Sequence, residues 1–170
     1  DFFQYDHVRE TTKRQVGSIF KPFVFAMAIE KGVQPCELIP AERKTYINEE
    51  GEPWTPRNSQ YDYGVDYTMR GALAYSVNTV SVKLIQRAGI ENTIQLARRL
   101  GISSELPADP SISLGSASIS MVEMTAAYTS LTNKGVSAYP YFIESIQDRA
   151  GKVYRNFKQK PSGEPALSPE

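Results

Sequence analysis

Phe20, Phe23, Val24, Phe25, Ala26, Met27, Ala28 and Ile29 make an apolar run with no polar face, closed by Gly32. A helix that is apolar on nearly every side has to be enclosed by its own domain, so the segment from about Ser18 to Lys31 predicts a buried central helix. Pro22 fixes where it starts. Proline has no amide hydrogen and is tolerated only in a first turn, whose amides lack partners within the helix. Ser18 therefore sits at the N-terminal edge of this helix and Lys21 in its first turn.

The composition changes from Gln34 to about Asp66. Pro35, Pro40, Gly51, Pro53, Pro56 and Gly64 break any periodicity, which predicts a long excursion of loops and short strands. An excursion of this length inside a compact domain is more often functional than idle. Helical pattern returns at Thr68 through Tyr75 and breaks at Ser76. It resumes from Asn78, an expected N-cap, with Val80, Leu84, Ile85 and Ala88 at helical spacing before Gly89. Ile90, Ile94, Ala97 and Leu100 mark a further helix closed by Gly101. Ser120 and Glu123 form a Ser-x-x-Glu capping box ahead of a stripe of Met124, Tyr128 and Leu131. After Pro140, Phe142 to Gln147 and Val153 to Phe157 flank a turn and read as a hairpin. The tail from Pro161 to Glu170 is turn-rich.

Ser18-Ile19-Phe20-Lys21 places a hydroxyl and an amine three residues apart, on one face of a helix. A serine hydroxyl needs an adjacent base to attack a carbonyl, and an amine among apolar groups loses its preference for the charged form and can serve as one. Two common residues at this spacing arise by chance in many chains, and a lysine can simply cap a carbonyl. Placement makes the pair informative, because a charged lysine in the first turn of a buried helix is expensive without a task or a partner. Ser76-Val77-Asn78 falls at an interhelical junction, where side chains protrude into a cleft. Both residues are ordinary helix caps. On a functional reading, Ser76 relays a proton toward a leaving amine and Asn78 holds Lys21 or the substrate backbone.

Other chemistries find little support. Nineteen basic and nineteen acidic side chains cancel without local segregation, which argues against nucleic acid as a partner. Cys36 has no second thiol to pair with, and His7 is the single histidine, lying near the start of the chain. No metal site, cofactor site or histidine triad is expected. No apolar run approaches the length of a bilayer span, and the first residues resemble no leader.

The flanking residues make these motifs specific. Arg14-Gln15-Val16-Gly17-Ser18-Ile19-Phe20-Lys21-Pro22-Phe23 resembles the nucleophile segment of the bifunctional, class A penicillin-binding proteins. Trp54-Thr55-Pro56-Arg57-Asn58, Tyr63-Gly64, Thr68-Met69-Arg70-Gly71-Ala72-Leu73 and Ser76-Val77-Asn78 are similar to that family's approach to its second motif. Leu114-Gly115-Ser116 and Glu123-Met124-Thr125-Ala126-Ala127-Tyr128 match a later segment. The likeness spans most of residues 8 to 157, in order.

The resemblance implies an α+β transpeptidase fold of the penicillin-binding protein and β-lactamase type, present as a truncated, mainly helical part with a β-hairpin and an incomplete antiparallel sheet. Residues 1–170 then form part of a transpeptidase domain. The glycan-polymerising domain, the membrane anchor and the Lys-Thr-Gly strand lie outside them, and the protein works outside the cytoplasm, attached to the cell membrane through an N-terminal anchor. The implied enzyme is a serine DD-transpeptidase. Ser18 attacks stem peptides ending in D-Ala-D-Ala, with Lys21, Ser76 and Asn78 as the other catalytic residues, and Trp54 and Tyr63, with Tyr61 and Tyr67, as candidate cleft aromatics. β-Lactam antibiotics acylate the same serine, cell-wall synthesis proteins are expected partners, and no cofactor is implied.

Besides the domain and anchor that lie outside these residues, one departure bears on this expectation. No Lys-Thr-Gly occurs, since Lys31-Gly32 and Lys134-Gly135 lack the middle residue. In the family that strand also provides one oxyanion-hole amide, so residues 1–170 are not expected to turn over substrate unaided. The Glu-x-x-Leu-Asn pattern of class A β-lactamases after the second motif is not present, which argues against a β-lactamase. A DD-carboxypeptidase, a β-lactam sensor and a noncatalytic helical module remain the competing readings.

Overall fold

The structure is a computed structural model that describes residues 6–48, 50–59, 63–158 and 165–167. The apolar run forms the expected central helix, α1 (Lys21–Glu30), with Lys21, Phe23, Val24, Phe25, Met27 and Ala28 buried. Its entry differs from the regular helix expected from Ser18. Residues Gly17–Phe20 wind as a tighter 3-10 turn before Pro22 lets the α-helix begin.

Three further helices pack against α1. They are α2 (Met69–Ala74), α3 (Asn78–Ala88) and α4 (Ile90–Arg99). The core they share includes Phe20, Phe23, Leu84, Ile85, Leu96 and Leu100, all fully enclosed. Each such side chain contributes roughly 1.5–3 kcal/mol relative to exposure. The junction expected at Ser76 is present, but Asn78 is the first residue of α3 and not its N-cap. Val77 holds the cap position, and the Asn78 side chain is directed elsewhere.

The excursion between α1 and α2 is built from short strands. β2 (Leu38–Pro40) pairs antiparallel with β5 (Asp66–Thr68), with Ile39 opposite Tyr67, while β3 (Tyr46–Ile47) pairs with β4 (Pro53–Trp54) farther out. Closing the excursion at β2–β5 delivers the chain directly into α2, which Thr68 caps by accepting the Gly71 amide at 3.0 Å.

β1 (Lys13–Gln15) pairs with β6 (Ser118–Ser120), placing Arg14 opposite Ile119. β6 runs into α5 (Met121–Thr132), where the expected capping box between Ser120 and Glu123 is formed. The expected hairpin is β7 (Ser145–Gln147) with β8 (Val153–Asn156). The Asp148 carboxylate fastens its turn by accepting the Ala150 and Lys152 amides. The antiparallel component thus consists, among the described residues, of four two-stranded pairs. Most of the turn-rich tail lies outside the described residues. Within it, the Ala166 amide meets the Gly135 carbonyl at 2.8 Å, and Ala166 enters the core.

Candidate active site

Ser18 is exposed on the 3-10 turn, and Lys21, one turn later, is 1% exposed. In a 3-10 turn, side chains three apart eclipse one another, so the tight entry places the hydroxyl and the base of the lysine stem on the same side. The amine continues inward. Lys21 Nζ donates to the Ser76 backbone carbonyl at 2.7 Å, to Ser76 Oγ at 2.8 Å and to Asn78 Oδ1 at 2.6 Å. Among the described residues the Ser18 hydroxyl makes no hydrogen bond.

Backbone geometry at the junction explains how one serine offers two acceptors. Ser76 has φ +54°, a left-handed conformation that disfavours a residue with a β-carbon by roughly 1–2 kcal/mol. That strain turns its carbonyl and its hydroxyl to the same amine, and strain of this kind gathers at functional sites. The sense of the Asn78 amide is fixed from its other end. Nδ2 donates to the Arg57 carbonyl at 2.7 Å, so Oδ1 is left facing Lys21.

Burial pushes the Lys21 pKa down from 10.5 to about 8. As an ammonium, its three protons match three acceptors. As a neutral amine it has two protons and a lone pair, and the lone pair can accept from one of these three partners only if that partner can donate. A carbonyl and an amide oxygen cannot, so the Ser76 hydroxyl is the partner able to follow the change by turning its proton toward nitrogen. Ser76 and Lys21 are therefore joined by a hydrogen bond that can carry a proton either way.

The turn that carries Ser18 is held from behind by residues to which sequence reasoning gave no part in the site. The Val16 and Gly17 amides donate to the carbonyls of Ala117 and Gly115 at 3.1 and 2.9 Å. Tyr128 reaches back from α5 to donate its hydroxyl to the Ile19 carbonyl at 2.5 Å, its ring edge-on to Phe23. Beneath β6, Glu123 Oε1 accepts the Ser103 amide and hydroxyl and the Ser104 amide, and Oε2 accepts from Ser104 Oγ and from the Ser120 amide and hydroxyl. Burial alone would raise this carboxyl. The bonds from Ser104, Ser103 and Ser120 outweigh it and bring the pKa down to about 2. The family-like stretches around Leu114 and Tyr128 marked this region, without indicating what the residues do.

The candidate aromatics have partners of their own. Trp54 lies half-buried on β4, its ring 6.3 Å from that of Tyr46. Tyr63 is half-buried and its hydroxyl accepts the Asn58 amide at 3.2 Å. Tyr67 packs against Tyr75, and Tyr61 lies outside the described residues.

An exposed serine on the turn that opens a buried helix, with an enclosed low-pKa amine one turn on, makes this a candidate nucleophilic-serine site in an α+β domain. The penicillin-binding protein transpeptidase domain family matches residues 6–170, and this chain belongs to that family. Penicillin-binding protein 1A of Aquifex aeolicus is 35% identical over 142 residues, which cover 82% of this chain and 19% of that protein. The chain thus spans about a fifth of the length of the curated relatives it matches. The crystal structure of penicillin-binding protein 1A from Haemophilus influenzae superposes with a TM-score of 0.83 at 31% identity, over 91% of this chain and 23% of that one. Penicillin-binding protein A from M. tuberculosis, solved as an imipenem acyl-enzyme complex, shares the fold with a TM-score of 0.78 at 20% identity, over 92% of this chain and 41% of that one.

Proposed function

We propose that this chain carries the nucleophile half of a serine DD-transpeptidase that cross-links peptidoglycan stem peptides and is acylated by β-lactams. The observation that carries the reading is the buried Lys21 amine bonded to both Ser76 and Asn78, one turn from the exposed Ser18. A relative solved as an imipenem acyl-enzyme supports the β-lactam part.

In this reading neutral Lys21 takes the Ser18 hydroxyl proton as the oxygen attacks the penultimate D-alanine carbonyl. The C–N bond to the terminal D-alanine breaks. The proton passes from Lys21 through Ser76 to the departing nitrogen, leaving an ester on Ser18. An amine from a neighbouring stem then attacks the ester, a new amide forms, and its proton returns the serine to its starting state. Asn78 keeps the Lys21 amine in place throughout. Trp54 and Tyr63 border the path of the stem peptide, Tyr63 through the loop it holds. In this reading the full protein also carries a Lys-Thr-Gly strand, a glycan-polymerising domain and an N-terminal membrane anchor, and acts outside the cytoplasm. Among the described residues no helix is long and apolar enough to cross a membrane.

The test is labelling of the full-length protein with a fluorescent penicillin, with the adduct followed by mass spectrometry. An adduct on Ser18 that Ser18→Ala abolishes is expected. Rapid hydrolytic loss would mark a hydrolase such as a β-lactamase, a stable adduct without transfer of a stem peptide to an amine acceptor would mark a sensor, and labelling that survives the alanine would remove Ser18 from its role.

A further inference from the structure

The Asn78 amide keeps its sense because the Arg57 carbonyl takes its Nδ2 proton. That carbonyl belongs to a stretch with no regular secondary structure, so its position has to be set by something other than a helix or sheet ladder. The next residue supplies the constraint. Asn58 is 6% exposed, and its side chain makes a reciprocal pair with Thr79: Oδ1 accepts the Thr79 amide at 3.0 Å and Nδ2 donates to Thr79 Oγ1 at 3.2 Å. Thr79 is 1% exposed and follows Asn78 on the first turn of α3. Residues 57 and 58 are therefore clasped by residues 78 and 79, and the Tyr63 hydroxyl supports the clasp by accepting the Asn58 amide.

We propose that Asn58 is a positioning residue of the Ser18 site, acting through the Arg57 carbonyl and the Asn78 amide on the Lys21 amine. The inference rests on the acyl-transfer reading above. Its physical content is directional. Without the clasp, the Arg57 carbonyl no longer dictates which end of the Asn78 amide meets Lys21. A rotated amide presents a donor where the ammonium needs an acceptor, which favours the neutral amine. The polar partners of Nζ come from Ser76 and Asn78, and among the described residues it has no ion pair, so a change at Asn78 is not masked by a neighbouring charge.

The experiment measures penicillin acylation rates of the full-length protein against pH for the wild type, Asn58→Ala, Thr79→Val and Thr79→Ser. In parallel, Lys21 is titrated by NMR of 13C-labelled lysine, which reports the amine whether or not the serine reacts. Asn58→Ala and Thr79→Val are expected to lower the plateau rate about tenfold, the scale of one well-placed hydrogen bond, and to move the Lys21 titration to lower pH. Thr79→Ser keeps the hydroxyl and is expected to behave as wild type. If Asn58→Ala does not fold, the valine and serine pair at position 79 decides the question. Loss of melting temperature with an unmoved titration and an unmoved pH profile would show Asn58 to be structural only, and wild-type behaviour in the valine variant would overturn the proposal outright. Failure of the wild type to label would instead strike the acyl-transfer reading, with the lysine titration still testing the clasp.

Discussion

A β-carbon placed on Gly115 would lie 1.9 Å from the carbonyl oxygen of Gly17. Gly115 has φ +73° and closes the turn that follows Pro110, and it presses its backbone onto the residue immediately before Ser18. Gly17, at φ +59°, turns the chain from β1 into the 3-10 turn that carries Ser18. On this side of Ser18 one backbone thus lies against another, with no side chain between them.

Gly115→Ala should therefore be among the most damaging changes outside the proposed catalytic residues. A left-handed alanine costs about 1–2 kcal/mol, and forcing a methyl against backbone adds about 1–3 kcal/mol. Thermal unfolding should show a loss on the order of 3 kcal/mol. The protein that still folds should acylate at least tenfold more slowly, because relief of the contact moves the nucleophile. Normal labelling kinetics in a folded Gly115→Ala protein would mean that the contact is not what places Ser18.

The Lys21 amine sets a sign for pH dependence. Its folded pKa, about 8, lies below the value of 10.5 it has when free of the fold. If the neutral form is the base, the acylation rate should rise with pH through about 8 and then level off. Stability follows the same window. Between about 8 and 10.5 the unfolded chain binds the proton that the folded chain has released, so the contribution of Lys21 to stability improves as pH rises across it. Ser76→Ala removes the partner that can donate to the neutral amine, and should lower the plateau at least tenfold. A pH-independent acylation rate between 6 and 10, roughly two units either side of that pKa, would contradict the assignment.

What the sequence disclosed was local. Pro22 and the unbroken apolar run located α1, the spacing of Ser120 and Glu123 located α5, and the break around Ser76 located the junction that meets Lys21. What it withheld depends on chain meeting chain. Nothing within Lys13–Gln15 announces that it pairs with Ser118–Ser120, because three exposed residues have no periodicity to read. Asn78 looked like a cap because asparagine often is one. In the fold its amide is held by the Arg57 carbonyl and Lys21, partners brought near only by the β2–β5 pair and the packing of α1 on α3. The capping role of Glu123 was legible, but its four further bonds to Ser103 and Ser104 were not, since the loop that supplies them approaches from the end of α4.

Those bonds make Glu123 a source of acid sensitivity. Its carboxyl titrates near 2 in the fold, against 4.5 without it, so the stabilisation it supplies is complete above about pH 4.5 and is lost as pH falls toward 2. A depression of this size corresponds to roughly 3 kcal/mol. Glu123→Gln should lose a comparable amount at neutral pH, because an amide nitrogen would face hydroxyl and amide donors. The variant should also show a flatter dependence of unfolding midpoint on pH between 5 and 2, roughly the span of the two pKa values. An unchanged slope would indicate that other carboxylates govern acid unfolding.

Tyr128→Phe isolates the support of the nucleophile turn from its chemistry. The ring stays edge-on to Phe23, so packing is preserved, and what is lost is the bond from the tyrosine hydroxyl to the Ile19 carbonyl. One such bond contributes about 1 kcal/mol to stability, so the unfolding midpoint should fall modestly. The Ile19 carbonyl belongs to the peptide one residue beyond Ser18, and freeing it allows the 3-10 turn to relax toward a regular helical turn, which swings the serine relative to Lys21. Acylation should slow severalfold, while the pH at which the rate levels off stays near 8, because the partners of the Lys21 amine are untouched. A displaced pH profile in Tyr128→Phe would show that the turn and the amine are coupled through contacts other than those named here.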